Sequence, residues 1–140
     1  MQPHALVYPM FAMVLLTAST LGRLFVSRLG SVRAGAVNPR FFQIYQGGSE
    51  PEASAKLARH FVNLFEAPTL FYVACLAAIA TDQSGRWLVV LAWLYVAARL
   101  VHTIIHTGAN VLNYRIAAYF SSWAVLLALW IRVVAGAADH

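Results

Sequence analysis

Apolar residues fill four long stretches of this chain, at about residues 5–26, 55–80, 87–106 and 114–135, and polar residues gather between them. Each stretch reaches or approaches the roughly 20 residues a helix needs to cross the hydrocarbon core of a bilayer. Backbone N–H and C=O groups find no water there, so a helix, which bonds them internally, is the expected spanning form. The pattern predicts a single all-α domain over residues 1–140. Its four helices would run up and down as an integral-membrane bundle, because short connectors make sequential helices antiparallel neighbours.

The stretches differ in detail. The first carries Thr17, Ser19, Thr20 and Gly22, small residues that let helices approach closely. It has no basic n-region and no small-x-small cleavage signal, so a retained helix is expected. Arg23 near its end can snorkel to the interface. The long connector, about Ser27 to Ser54, is punctuated by Asn38-Pro39 and Gly47-Gly48. Short turns at Thr81, Asp82, Gln83, Ser84 and Gly85, and from Thr107 to Asn113, join the remaining helices.

Composition supports the membrane reading. The chain is 61% hydrophobic and 11% charged, against roughly 25% charged in soluble domains. Its formal charge is +5, but placement matters more than size. Arg28, Arg33, Arg40 and Lys56 lie in or beside the first connector, and Arg115 lies beside the third. The positive-inside rule then puts the first and third connectors in the cytoplasm and both termini opposite, with Trp87 and Trp130 near the far interface. No stacking platform or basic groove accompanies these charges, so nucleic acid is not an expected partner. Cys75 is the only cysteine. An intrachain disulfide is impossible, and the residue reads as a small buried hydrophobe.

Two polar rows interrupt the apolar stretches. Arg59, Asn63 and Glu66 share one helical face, and Arg99, His102 and His106 share another. Ionisable groups at membrane depth normally face a bundle interior or a wet cavity. Antiparallel pairing brings Glu66 to the level of Arg99, where a structural ion pair would neutralise the guanidinium. It also brings Arg59 to the level of His106. Arg59, Asn63, His102, His106 and Arg115 then read in two ways. They could form a mouth for an anionic, amide-rich ligand, or they could be snorkelling arginines with satisfied core histidines. His102 and His106 have a metal-capable i, i+4 spacing. Nearby arginines would repel a cation and no acidic or cysteine cluster completes a shell, so no metal is expected. Asp82 and Asp139 lie on the opposite side of the expected membrane, which argues against a Ser-His-Asp arrangement.

The rows resemble those of a known family, the membrane-associated proteins in eicosanoid and glutathione metabolism (MAPEG). The stretch Ala58 to Glu66, ARHFVNLFE, fits the family's Arg-x3-Asn-x2-Glu pattern. The stretch Ala98 to Arg115, ARLVHTIIHTGANVLNYR, fits its Arg-x2-His segment followed by a further Arg. The resemblance implies a homotrimer of four-helix subunits that binds glutathione between neighbours near the cytoplasmic face. It implies that Arg59, Asn63, Glu66, His102 and Tyr119 hold or frame glutathione as co-substrate. It also implies that Arg115 stabilises the thiolate, with His106 assisting. The function it implies is a microsomal-type glutathione transferase or peroxidase acting on lipophilic electrophiles or hydroperoxides. A bacterial inner membrane is the compatible location.

The chain departs from the family pattern in three places. His106 stands where the family has a tyrosine, Ile116 follows the fourth-helix arginine where serine is common, and Arg40-Phe41 follow Pro39 where some members carry acids. These departures admit an alternative of the same fold: a non-catalytic protein that binds lipid or serves as a scaffold in the membrane. A third reading makes the polar rows devices for helix register alone.

Overall fold

The computed structural model describes residues 3–83 and 85–138. Ser84, expected in the second turn, and Asp139 lie outside the described residues. A short 3-10 turn, Pro3–Leu6, leads into α1 (Val7–Arg33). The first connector holds α2 (Phe41–Ile44). Then follow α3 (Glu52–Asn63), α4 (Ala67–Ala80), α5 (Arg86–Thr107) and α6 (Leu112–Ala138). No strand occurs among the described residues. Four helical stretches, His4–Arg33, Glu52–Ala80, Arg86–Thr107 and Leu112–Ala138, are long and apolar enough to cross a membrane. This is the architecture of an integral membrane protein.

Two expectations need correction. The first helix does not end near residue 26 but runs to Arg33. The Ser31 hydroxyl donates to the Ser27 carbonyl, so these serines are accommodated within the helix. The helix stops where Gly35 adopts φ +71°. The Gly35 and Ala36 N–H groups then fold back onto the Val32 and Ser31 carbonyls, which satisfies two acceptors of the last turn. The second span is not one helix over residues 55–80 but two, broken at Leu64, Phe65 and Glu66. Pro68 explains the break. It has no N–H to give the Leu64 carbonyl, and its ring would collide with that carbonyl in a continuous helix. At the second position of α4 the same residue is tolerated.

The helix α5 lies at the centre, in contact with α1, α3 and α6, and α4 packs on α6. Its buried row is Leu88, Ala92, Tyr95, Arg99, His102 and His106. The alternating steps of four and three match the seam of antiparallel bundle helices. The row changes character along its length. At the end near the second connector it meets Phe71, Ala74, Cys75, Ala78, Leu126, Leu129 and Val133, an apolar core, and Phe71 stacks on Tyr95 at 4.6 Å between centroids. Cys75 is buried and unpaired, as expected. At that end Gln83 donates to the Val133 carbonyl and lies so close to Gly136 that a Cβ there would strike it. At the end near the first and third connectors the row is polar. Outward faces are apolar too, with Phe11, Phe25, Leu76, Trp93, Leu127 and Ile131 exposed, as helices that meet lipid or other helices require.

The first connector is folded against α1. Arg28 donates to Glu50 Oε1 at 2.8 Å and to the Tyr45 hydroxyl at 3.0 Å, and its guanidinium lies 5.0 Å from the Phe42 ring centroid.

Candidate functional site

The polar end of α5 is built by three helices. Leu57 and His60 in α3, and Leu64 just after it, point inward and are buried, and Arg59 and Asn63 flank that stripe. In α5, Arg99, His102, Thr103 and His106 are all buried. In α6, Arg115 and Tyr119 lie one turn apart and are half-buried. Asn110, in the turn between α5 and α6, adopts φ +53°, a left-handed conformation that asparagine tolerates. Its amide oxygen accepts from Arg115 Nη1 at 2.8 Å, which fixes the arginine at the start of α6.

These elements enclose an open cavity of about 490 Å³. Arg59, Asn63, His102, His106, Arg115 and Tyr119 line it, together with Val62, Ile116 and Phe120. The five residues that the polar rows and Arg115 brought together thus meet in one place, with Tyr119, which the resemblance added. The lining holds two guanidinium groups and no carboxylate. Glu50 pairs with Arg28, and Glu52 pairs with Lys56. The chemistry on offer is that of an anion site: arginine forks for carboxylates, one amide for a peptide group, and imidazole and phenol groups at the wall.

Two expected members stand apart. Glu66 does not line the cavity. It is exposed, at the break between α3 and α4. The expected Glu66–Arg99 ion pair is absent: the only salt bridges among the described residues are Arg28–Glu50 and Lys56–Glu52. The break at Pro68 turns the chain before Glu66 can continue the Arg59–Asn63 face. Arg99 instead donates from Nη2 to the Asn63 carbonyl at 3.2 Å. It lies 5.9 Å from the Tyr119 ring centroid, behind the cavity wall. Its Nε and Nη1 are buried with no hydrogen-bond partner among the described residues.

Three contributors were missed by spacing alone. His60 is fully buried, and its Nε2 lies 2.8 Å from the Thr103 hydroxyl. That hydroxyl in turn donates to the Arg99 carbonyl at 2.8 Å. The signal for His60 was available: it falls between Leu57 and Leu64 on the inward apolar stripe, one position off the polar row. Asn110 and Thr103 carried no comparable signal, because their roles depend on contacts between helices and turns. Arg23, expected near the end of the first span, donates to the Thr107 hydroxyl at 3.2 Å and so joins α1 to the end of α5.

A second, apolar groove of about 510 Å³ lies between α1 and the broken span, lined by Val14, Thr17, Ala18, Leu21, Phe61, Leu64, Phe65, Thr69 and Tyr72. The helix α3 and the break after it contribute to both recesses, with Arg59, Val62 and Asn63 on one and Phe61, Leu64 and Phe65 on the other.

Compared with known families, the chain matches the MAPEG family over residues 6–135, nearly its whole length. No curated protein and no solved structure matches it. The chain belongs to the MAPEG family.

Proposed function

We propose that this MAPEG-family chain is a membrane-embedded glutathione-dependent transferase or peroxidase, with glutathione held in the cavity at the polar end of the bundle. One observation carries the reading: Arg59, Asn63, His102, His106, Arg115 and Tyr119, drawn from three helices, line a single cavity with no acid in it. Glutathione is an anionic peptide. Its carboxylates suit Arg59, and its amides suit Asn63 and Tyr119. Arg115, held by Asn110, is the group to stabilise the thiolate. The thiolate is the nucleophile, a free cysteine thiol has pKa near 8.5, and an adjacent cation lowers it. His106, in place of the family tyrosine, can donate a hydrogen bond to sulfur or take a proton. The electrophile or hydroperoxide is lipophilic and arrives through the bilayer. The cavity is open, which fits a homotrimer in which a neighbouring subunit closes it. In that assembly the exposed Glu66 faces a neighbour or the ligand's amino group. The first and third connectors, at the cavity end, are the cytoplasmic ones.

The apolar groove beside α1 supports a second reading. A chain that holds a lipid there, without catalysis, would use the same fold as a lipid-binding or scaffold protein.

The test is the ultraviolet absorbance of thiolate when glutathione is added to detergent-purified protein at neutral pH. The transferase reading expects a thiolate signal in the wild type that Arg115→Ala loses while the oligomer survives. An equal signal in both proteins would remove Arg115 from the chemistry. No signal in either, together with a co-purifying lipid, would favour the second reading.

A further inference from the structure

We propose that His60, His102 and His106 form a tris-imidazole site for one late first-row transition-metal ion. The three rings make a near-equilateral triangle. Centroids are 5.4 Å apart for His60 and His102, 5.1 Å for His60 and His106, and 5.4 Å for His102 and His106. One ring nitrogen from each lies within 4.8 Å of the other two. A metal–nitrogen bond of roughly 2.0–2.1 Å places ligand nitrogens about 3.4 Å apart. Ligation therefore needs the nitrogens to approach one another by up to about 1.4 Å.

Three features favour an ion over simple core packing. First, Nδ1 of each histidine is buried without a hydrogen-bond partner among the described residues. Buried polar atoms are rarely left so, and an ion shared by the three rings is one remedy. Second, the ring of His60 is already oriented. The Thr103 hydroxyl has one hydrogen, and the Arg99 carbonyl takes it. His60 Nε2 must therefore be the donor to Thr103, which leaves its Nδ1 lone pair bare. A ligating histidine that donates its other N–H to a fixed oxygen is the usual outer-shell arrangement. Third, the ligands stand on rigid helices. His102 and His106 are one turn apart on α5, and His60 comes from α3, so closure does not depend on a loop.

Charge selects the ion. Three neutral imidazoles bring no compensation, and Arg59 and Arg115 line the cavity that His102 and His106 reach. Imidazole suits both copper and zinc. Copper(I) carries a single charge and is content with three ligands, so it meets the least repulsion. Zinc(II) would need a fourth ligand, such as water, and carries twice the charge. The inference does not rest on glutathione binding: His102 and His106 line the glutathione cavity but His60 does not, so a His60 variant reports on the metal site alone.

The experiment uses the full chain in detergent, stripped with chelator and kept without glutathione. It is titrated anaerobically with copper(I), and separately with zinc(II), and the loaded wild type is examined by X-ray absorption. The expected result is about one ion per chain, with three imidazole nitrogens around it. Thr103→Val should weaken binding on the order of 10–100-fold. His60→Gln, which keeps an N–H toward Thr103 but has no ring nitrogen, should weaken it further, with elution unchanged. Binding of zinc with the same three imidazoles supports the site and replaces copper as its ion. Retention of neither ion, fewer than three imidazoles in the wild type, or unchanged affinity in His60→Gln would overturn it. Loss of glutathione binding in His102→Ala with metal binding absent throughout would leave the cavity reading intact and end this one.

Discussion

Arg99 Nη2 donates to the main-chain carbonyl of Asn63 at 3.2 Å. The bond joins the middle of α5 to the last residue of α3, where the second span breaks. A broken helix inside a membrane exposes carbonyls that lipid cannot satisfy. A buried guanidinium at that level supplies a donor. The polar end of the bundle therefore depends on the break as much as on the polar rows.

Pro68→Ala restores an N–H for the Leu64 carbonyl and removes the ring clash. A proline in a helix interior costs about 3 kcal/mol, so the variant should favour a continuous second span. Amide hydrogen exchange at residues 64–67 is expected to slow at least about tenfold. Unchanged exchange would show that the break does not depend on the proline.

Thr103→Val conserves shape and leaves the buried His60 Nε2–H without an acceptor. Leaving a buried donor unmade costs about 1–3 kcal/mol. A lower midpoint of thermal unfolding in detergent is expected. An unchanged midpoint would mean that His60 finds another acceptor.

Asn110→Gly preserves the left-handed backbone, since glycine adopts φ +53° freely, and deletes the acceptor for Arg115. Arg115 should then lose its orientation while the turn survives. Glutathione affinity is expected to fall about tenfold, or ~1.4 kcal/mol, by equilibrium dialysis. Equal affinity would show that Arg115 is positioned without Asn110.

Glu50→Gln removes the carboxylate that Arg28 holds at 2.8 Å. Partly exposed pairs contribute little, about 0.2–1 kcal/mol, so global stability should barely change. The local effect is larger: the connector over residues 35–51 should be cut faster in limited proteolysis. Cleavage at the wild-type rate would mean that the aromatic contacts of Arg28 suffice.

Much of this was legible in the sequence because membrane helices follow length and periodicity closely. Four apolar stretches gave four spans. The rows at Arg59–Asn63 and Arg99–His102–His106 met because helical spacing fixes a face whatever the tertiary detail. What escaped depended on single residues acting against the pattern. Pro68 sits inside a stretch apolar and long enough to span, so hydropathy passes over it, yet it breaks the helix and sets Glu66 apart from Arg99. Ser27 and Ser31 look like loop residues, but a hydroxyl bonded to the preceding turn keeps them in α1. His60 hides beside Arg59 because a one-residue step turns the helix by about 100°, away from the row and into the core.

The central claim is that the acid-free cavity binds glutathione, and equilibrium dialysis of glutathione against detergent-purified protein, with Arg115→Ala alongside, tests it most directly. Binding by the wild type and its loss in the variant is the predicted result. No binding by the wild type at millimolar glutathione would contradict the account and turn attention to lipid in the apolar groove.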